Sequence, residues 1–142
     1  MTPKEIYLRQ LELAIAGDRD AQAAHYAPDA VVHFPFAPAG VPDRFDGRDA
    51  IRAMSVALDR VRGTTAPVPE ESNLTVHETT DPELIIAELD AVVVDPGSGA
   101  RHRFRQLHVV RVRDELIIEH HDYFAGASAE MVRQALATPP AP

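Results

Sequence analysis

Two ionisable side chains, His120 and Asp122, stand in the apolar segment Leu116–Phe124 (LIIEHHDYF). At the period of two of a strand they share a face with Leu116, Ile118 and Phe124, and three apolar residues mark that face as interior. An imidazole and a carboxylate are costly to bury unless they are paired or used. Held in an apolar pocket, a carboxyl group has its pKa raised and can donate or accept a proton, and an imidazole titrates close to neutrality. The structural alternative is an acid hydrogen-bonded to Gln106, His120 or backbone. Asp122 is the leading catalytic candidate, with His108 and His120 as a relay or as oxyanion donors. Those two histidines can equally be pocket-wall imidazoles that bond each other and water. His108, His120 and Asp122 also form a formal two-histidine-one-carboxylate set. The assignment made here is acid/base chemistry, with no metal and no cofactor.

The strand before supplies the partners. In residues 102–112, Phe104, Gln106, His108, Val110 and Val112 alternate with Arg103, Arg105 and Arg111. A two-residue turn at Asp114-Glu115 would place His120 and Asp122 on the arginine face. A three-residue loop, 113–115, keeps the apolar sets together and pairs His108 with His120 and Gln106 with Asp122. That loop is the expectation, with Glu115 in a left-handed position at roughly 1 kcal/mol relative to glycine. On the other face, a turn at Gly97-Ser98 sets Asp90 opposite Arg105, so cross-strand ion pairs explain the arginines. The pocket predicted from this register is lined by Gln106, His108, Val110, Ile118, His120 and Asp122. The substrate-binding set adds Phe104, Tyr26, Phe34 and Met54, with His33 at the rim.

The elements that position these groups are legible along the chain. Thr2-Pro3-Lys4-Glu5 reads as a capping box with proline at the first helical position, and Gly17 ends the helix. Ile6, Leu8, Leu11, Leu13 and Ile15 give it an apolar face. Asp18 caps a short second helix that closes at Tyr26. Residues 30–36 read as a strand and residues 47–61 as a third helix, through Ile51, Met54, Leu58 and Val61. Residues 74–79 and 84–94 are strands, the two strands above follow, and residues 128–137 are a short terminal helix. Residues 138–142 (TPPAP) are expected to fray. Helices followed by antiparallel strands make an α+β layer fold in which the helices cover part of a curved sheet and leave a cavity.

Composition narrows the classes. A chain of 142 residues is expected to form a single domain, 1–142. It contains no cysteine, which excludes disulfides and thiolate chemistry. The net charge of −8 argues against nonspecific nucleic-acid binding. There is no apolar run of membrane-spanning length, and MTPKEIYLRQ lacks a signal-peptide core, so a cytoplasmic location is expected.

Several motifs carry a resemblance. Ala16-Gly17-Asp18, Tyr26-Ala27-Pro28-Asp29-Ala30-Val31, Phe34-Pro35-Phe36-Ala37-Pro38, Gly47-Arg48-Asp49-Ala50-Ile51 and residues 119–124 together resemble the SnoaL-like branch of the nuclear-transport-factor-2-like superfamily. That superfamily includes ketosteroid isomerases, polyketide cyclases and phenazine-biosynthesis proteins. The resemblance implies a conical, cystatin-like α+β barrel, three N-terminal helices on a curved antiparallel sheet, a deep pocket and a homodimer formed through the sheet. It places the general-base aspartate of ketosteroid isomerases at Phe34, their oxyanion aspartate at His108 and their helix-one tyrosine near Gln10. The glutamate of phenazine-type relatives falls at Asp122. The implied activity is isomerase, cyclase, dehydratase or hydrolase chemistry on a small, largely apolar, carbonyl-bearing molecule. The alternative is a noncatalytic ligand-binding or dimeric scaffold protein. The outer sheet face, with Arg103, Arg105, Arg111, Ile117, Glu119 and Tyr123, is the expected dimer surface.

Overall fold

The computed structural model describes residues 1–138, so the expected frayed tail lies outside the described residues apart from Thr138. The elements are α1 (Pro3–Ala16), α2 (Arg19–Ala23), β1 (Tyr26–His33), β2 (Arg44–Asp46), α3 (Arg48–Arg62), β3 (Ala66–Pro67), β4 (Asn73–Glu78), β5 (Leu84–Val94), β6 (Arg101–Arg113), β7 (Leu116–Phe124) and α4 (Ala127–Leu136). The architecture is the expected α+β cone, with helices packed on one curved sheet. The sheet order is β2-β1-β7-β6-β5-β3, with β4 also on β5. Strands β4 to β7 run antiparallel, but β1 is parallel to β7, so the sheet is mixed. Three helices precede the long strands and α4 follows them, packing against α3 and β6.

The start of α1 is built as its sequence requires. Thr2 Oγ1 accepts from the Glu5 amide at 3.2 Å, and Glu5 Oε2 accepts from the Thr2 amide at 2.9 Å. The buried stripe is Ile6, Tyr7, Gln10 and Leu13, whereas Ile15 is 59% exposed. Polar Tyr7 and Gln10 therefore face inward where an apolar count would have favoured Ile15. Tyr26 opens β1 instead of closing α2, because the chain leaves the helix at Ala24. A register jump between Tyr26 and Val31 spans Pro28, which has no N–H for the ladder. The strand ends at His33, before Pro35.

Gly47 joins β2 to α3 at φ 90, and a Cβ there would sit 3.4 Å from the Pro28 carbonyl. Its amide donates to the Ala30 carbonyl at 2.7 Å. Arg48 then donates from Nε and Nη2 to the Tyr26 carbonyl at 2.9 and 2.6 Å. The Gly47-Arg48 pair thus fixes α3 against the beginning of β1.

The β6–β7 hairpin departs from expectation in an instructive way. The turn is the two-residue one, with Asp114 at φ 51 and Glu115 at φ 63. Arg113 pairs with Leu116 and Val112 with Ile117. A bulge at Ile118 then shifts the register, so that Arg111 meets Glu119, Val110 meets His120 and His108 meets Asp122. The bulge exchanges the faces that the short turn had reversed. His120 and Asp122 return to the inner face, while Ile117, expected outside, is fully buried beside Val112. His108 is directly opposite Asp122 rather than His120.

On the outer face the register of β5 with β6 is as read from the sequence, with Asp90 opposite Arg105. Asp90 pairs with Arg103 at 3.2 Å and Arg105 at 3.7 Å. Glu88 instead bonds His77 of β4 at 2.7 Å.

Candidate functional site

Between the sheet and helices α1, α3 and α4 lies a cavity of about 540 Å³. Phe34, Met54, Leu58, Leu74, Leu89 and Phe104 supply much of its apolar wall. Gln106, His108, His120 and Asp122 line the same cavity, as does Tyr26. Val110 is completely buried behind the wall, and Ile118, displaced by the bulge, also lies outside the lining. His33 does not face the cavity. Val32 on β1 and Phe34 just after its end are buried, which turns His33 outward to stack on His121 with ring centroids 4.2 Å apart.

The polar groups form two parallel units. Tyr7 Oη lies 2.8 Å from His108 Nδ1, and Tyr26 Oη lies 2.9 Å from His120 Nδ1. Burial, with the charge of Asp122, raises both phenols above their ordinary range, so each keeps its proton. A phenol with this one partner donates to it. When neutral, both imidazoles therefore accept at Nδ1 and carry their hydrogen on Nε2. The His108 Nε2 lies 3.3 Å from Asp122 Oδ1, close enough to interact but poorly aligned for a hydrogen bond. Gln106 Nε2 donates to both Asp122 oxygens at 3.3 and 3.2 Å. His120 Nε2 is buried and has no partner among the described residues. The rings of His108 and His120 meet edge to face at 4.8 Å.

Electrostatics assign the charges. Burial pushes the Asp122 carboxyl up, but His108 beside it, then His120 and Gln106, outweigh burial and hold it below the usual carboxylate range. The acid is thus a carboxylate at neutral pH, which chooses between the two states open from sequence. His120 is pushed down to about 3, by burial first and by His108 second, against the attraction of Asp122. It is a neutral imidazole.

Sequence reasoning missed Tyr7. The tyrosine position of helix one was matched near Gln10, and a tyrosine is in fact present one turn earlier, touching His108. An inward tyrosine was detectable only by following the 6, 10, 13 stripe of α1 instead of its most apolar side. Ser128 of α4 was also missed. Its buried Oγ has no partner and faces the cavity. Of the four buried side-chain atoms without a partner among the described residues, those of His108, His120 and Ser128 belong to cavity residues. Among the described residues, His33, Glu119 and His121 on the outer face bring their ligand atoms within 4.8 Å of one another.

Comparison with known proteins places this architecture. The SnoaL-like domain model matches residues 7–120, and the chain belongs to the SnoaL-like family. An uncharacterized PhzA/B-like protein of Pseudomonas aeruginosa is 32% identical over 127 residues, covering 87% of this chain and 84% of that protein. YesE of Bacillus subtilis, also uncharacterized, is 31% identical over 101 residues, 68% of this chain and 63% of its own length. Among solved structures, a candidate polyketide cyclase of Pseudomonas putida KT2440 superposes with a TM-score of 0.69 at 16% identity, covering 96% and 99% of the two chains. A phenazine biosynthesis-related protein of Pseudomonas aeruginosa gives 0.61 at 17% identity, covering 99% and 87%. At these identities the superpositions establish the fold.

Proposed function

We propose that this protein is a small-molecule acid/base enzyme of isomerase or cyclase type, acting on a carbonyl compound in the cavity. One observation carries the reading. An unpartnered His120 Nε2 and an ionised Asp122 line the same, largely apolar cavity. Orphaned buried donors are rare in folded proteins, and a ligand oxygen would satisfy this one. The name of one structural relative, a polyketide cyclase candidate, agrees with the cyclase side of this reading.

The division of labour follows from the two protonation states. The Asp122 carboxylate removes a proton from the carbon next to the carbonyl. The C–H electron pair becomes the C=C of an enolate, and the C=O pair moves onto oxygen. The His120 Nε2–H donates a hydrogen bond to that oxygen as charge develops, in a site already shaped for it. A neutral imidazole suits this donor role. Where the substrate carries a C=C beyond that carbon, return of the proton from Asp122 to the far end of the dienolate re-forms the C=O and completes an isomerisation. Alternatively, the enolate carbon attacks a second carbonyl of the same molecule, a C–C bond closes the ring, the second C=O pair moves onto its oxygen, and that oxygen takes the proton from Asp122. Gln106 and His108 position the base, and Tyr7 and Tyr26 fix the imidazole tautomers.

The test does not require the natural substrate. Exchange of carbon-bound protons next to the carbonyl is followed by NMR in D2O across a panel of apolar ketones and β-keto esters. The wild-type protein is expected to accelerate exchange for some members, and Asp122→Asn to reduce it roughly a hundredfold or more, the range for losing a general base. Equal exchange by both proteins would remove Asp122 from the chemistry and favour a noncatalytic ligand-binding protein.

A further inference from the structure

Besides the acid/base group, the cavity is lined by a cationic pair. Arg19 and Arg62 both line it. They share one carboxylate, Asp59. Arg19 donates from Nε and Nη2 to the two Asp59 oxygens, and Arg62 Nη1 donates to Oδ1 at 3.3 Å. Among the described residues Asp59 is the acid that acts on Arg62, and the other charge it feels is the repulsive one of Arg19. Two guanidiniums against one carboxylate leave a formal positive charge.

The two arginines are not equivalent. Arg19 is only 8% exposed, and its Nη1 donates to Gln22 Oε1 at 2.6 Å. Gln22 in turn donates to Gln10 Oε1 at 3.1 Å. Arg19 is thereby built into the wall. Arg62 makes the single long bond to Asp59 among the described residues, and its side chain is one-third exposed, at 33%. Its remaining N–H groups form a planar fork that matches a carboxylate. Leu58, Leu74, Ala91 and Val93 line the same cavity, so the charge opens onto a largely apolar space. A partly desolvated cation in such a place calls for an anion.

We propose that the ligand of this cavity carries a carboxylate that pairs with Arg62 while its carbonyl group lies at His120 and Asp122. The inference rests on the acid/base reading above and names the substrate class for it. The compound is therefore a keto acid with an apolar chain or ring between its two oxygen-bearing groups.

The probes are 9-oxodecanoate and 5-oxohexanoate, each with its methyl ester, with affinities measured by calorimetry. Wild-type protein is expected to bind at least one acid about tenfold or more tightly than its ester, the scale of one charge-assisted pair. Arg62→Met should erase the preference for acid over ester, and Arg62→Lys should keep part of it. Thermal melts establish that the variants are folded, and Arg62→Gln serves if Arg62→Met is not. Asp122→Asn separates this inference from the reading it rests on, since it should abolish proton exchange yet retain the acid preference. Equal affinity for acid and ester, binding of neither, or a preference that survives loss of the guanidinium would overturn the assignment.

Discussion

At the scale of single residues, the behaviour of the site follows from two depressed pKa values. Asp122 is held below the usual carboxylate range, so the proton-exchange rate should persist on the acid side until the pH passes below that range. No inflection from His120 is expected near pH 6.5, because it titrates at about 3. The same shift governs stability. The unfolded chain takes up a proton on His120 at its ordinary 6.5, and the folded chain does so only at about 3. The stability contributed is complete above pH 6.5 and is lost as the pH falls towards 3, at about 1.4 kcal/mol per pH unit from this group. Asp122, also depressed, loses stability in the same direction as pH falls through its folded value. Melting temperatures across pH 4 to 8 should show this decline, and His120→Gln should flatten its upper part. Tyr26→Phe tests the tautomer argument. Without the phenol, His120 Nδ1 loses its donor, the hydrogen is no longer confined to Nε2, and exchange activity should drop about tenfold, as for loss of comparable supporting bonds to a histidine ligand. Nitrogen-15 shifts of the ring report the tautomer directly.

At the scale of elements, the β6–β7 hairpin sets the site, and its energetics are open to test. Asp114 and Glu115 both sit in the left-handed region, where a side chain is disfavoured. Glu115 pairs with the amino terminus of Met1, an exposed contact that contributes little. Glu115→Gly should therefore stabilise the protein by about 0.5–1 kcal/mol, read as a higher denaturant midpoint at unchanged slope. A lower midpoint would show that the exposed ion pair outweighs the backbone strain. Thr2→Ala removes one side of the capping box and should cost about 1 kcal/mol.

At the scale of the whole molecule, the outer sheet face is where assembly would be expected. Phe36 is 66% exposed and packs edge to face on Tyr123, with Leu107 also exposed on β6. A homodimer through this face remains the expectation, with Ile117 struck from its surface because the bulge buries that residue. Light scattering at micromolar concentration should give the mass of two chains, and Phe36→Glu should return one. No helix among the described residues is long and apolar enough to cross a membrane.

By itself, the sequence determined the class of the fold and the composition of the acid/base group. Alternation in β6 and β7 marks His108, His120 and Asp122 as inward, and the capping box of α1 and the glycine at residue 47 are local signals with local outcomes. Those features depend on near neighbours in the chain, which is why they could be read there. Tertiary structure decided the rest. A short turn and a compensating bulge reach the same facing by a different register, one that buries Ile117 beside Val112. Tyr7 and Tyr26 find the two histidines across 101 and 94 residues of chain. Those contacts fix which nitrogen carries each hydrogen, and burial fixes which group carries the charge. The meeting of Arg19, Arg62 and Asp122 in one cavity likewise exists only once α2, α3 and β7 are assembled, because no local pattern in the chain links them.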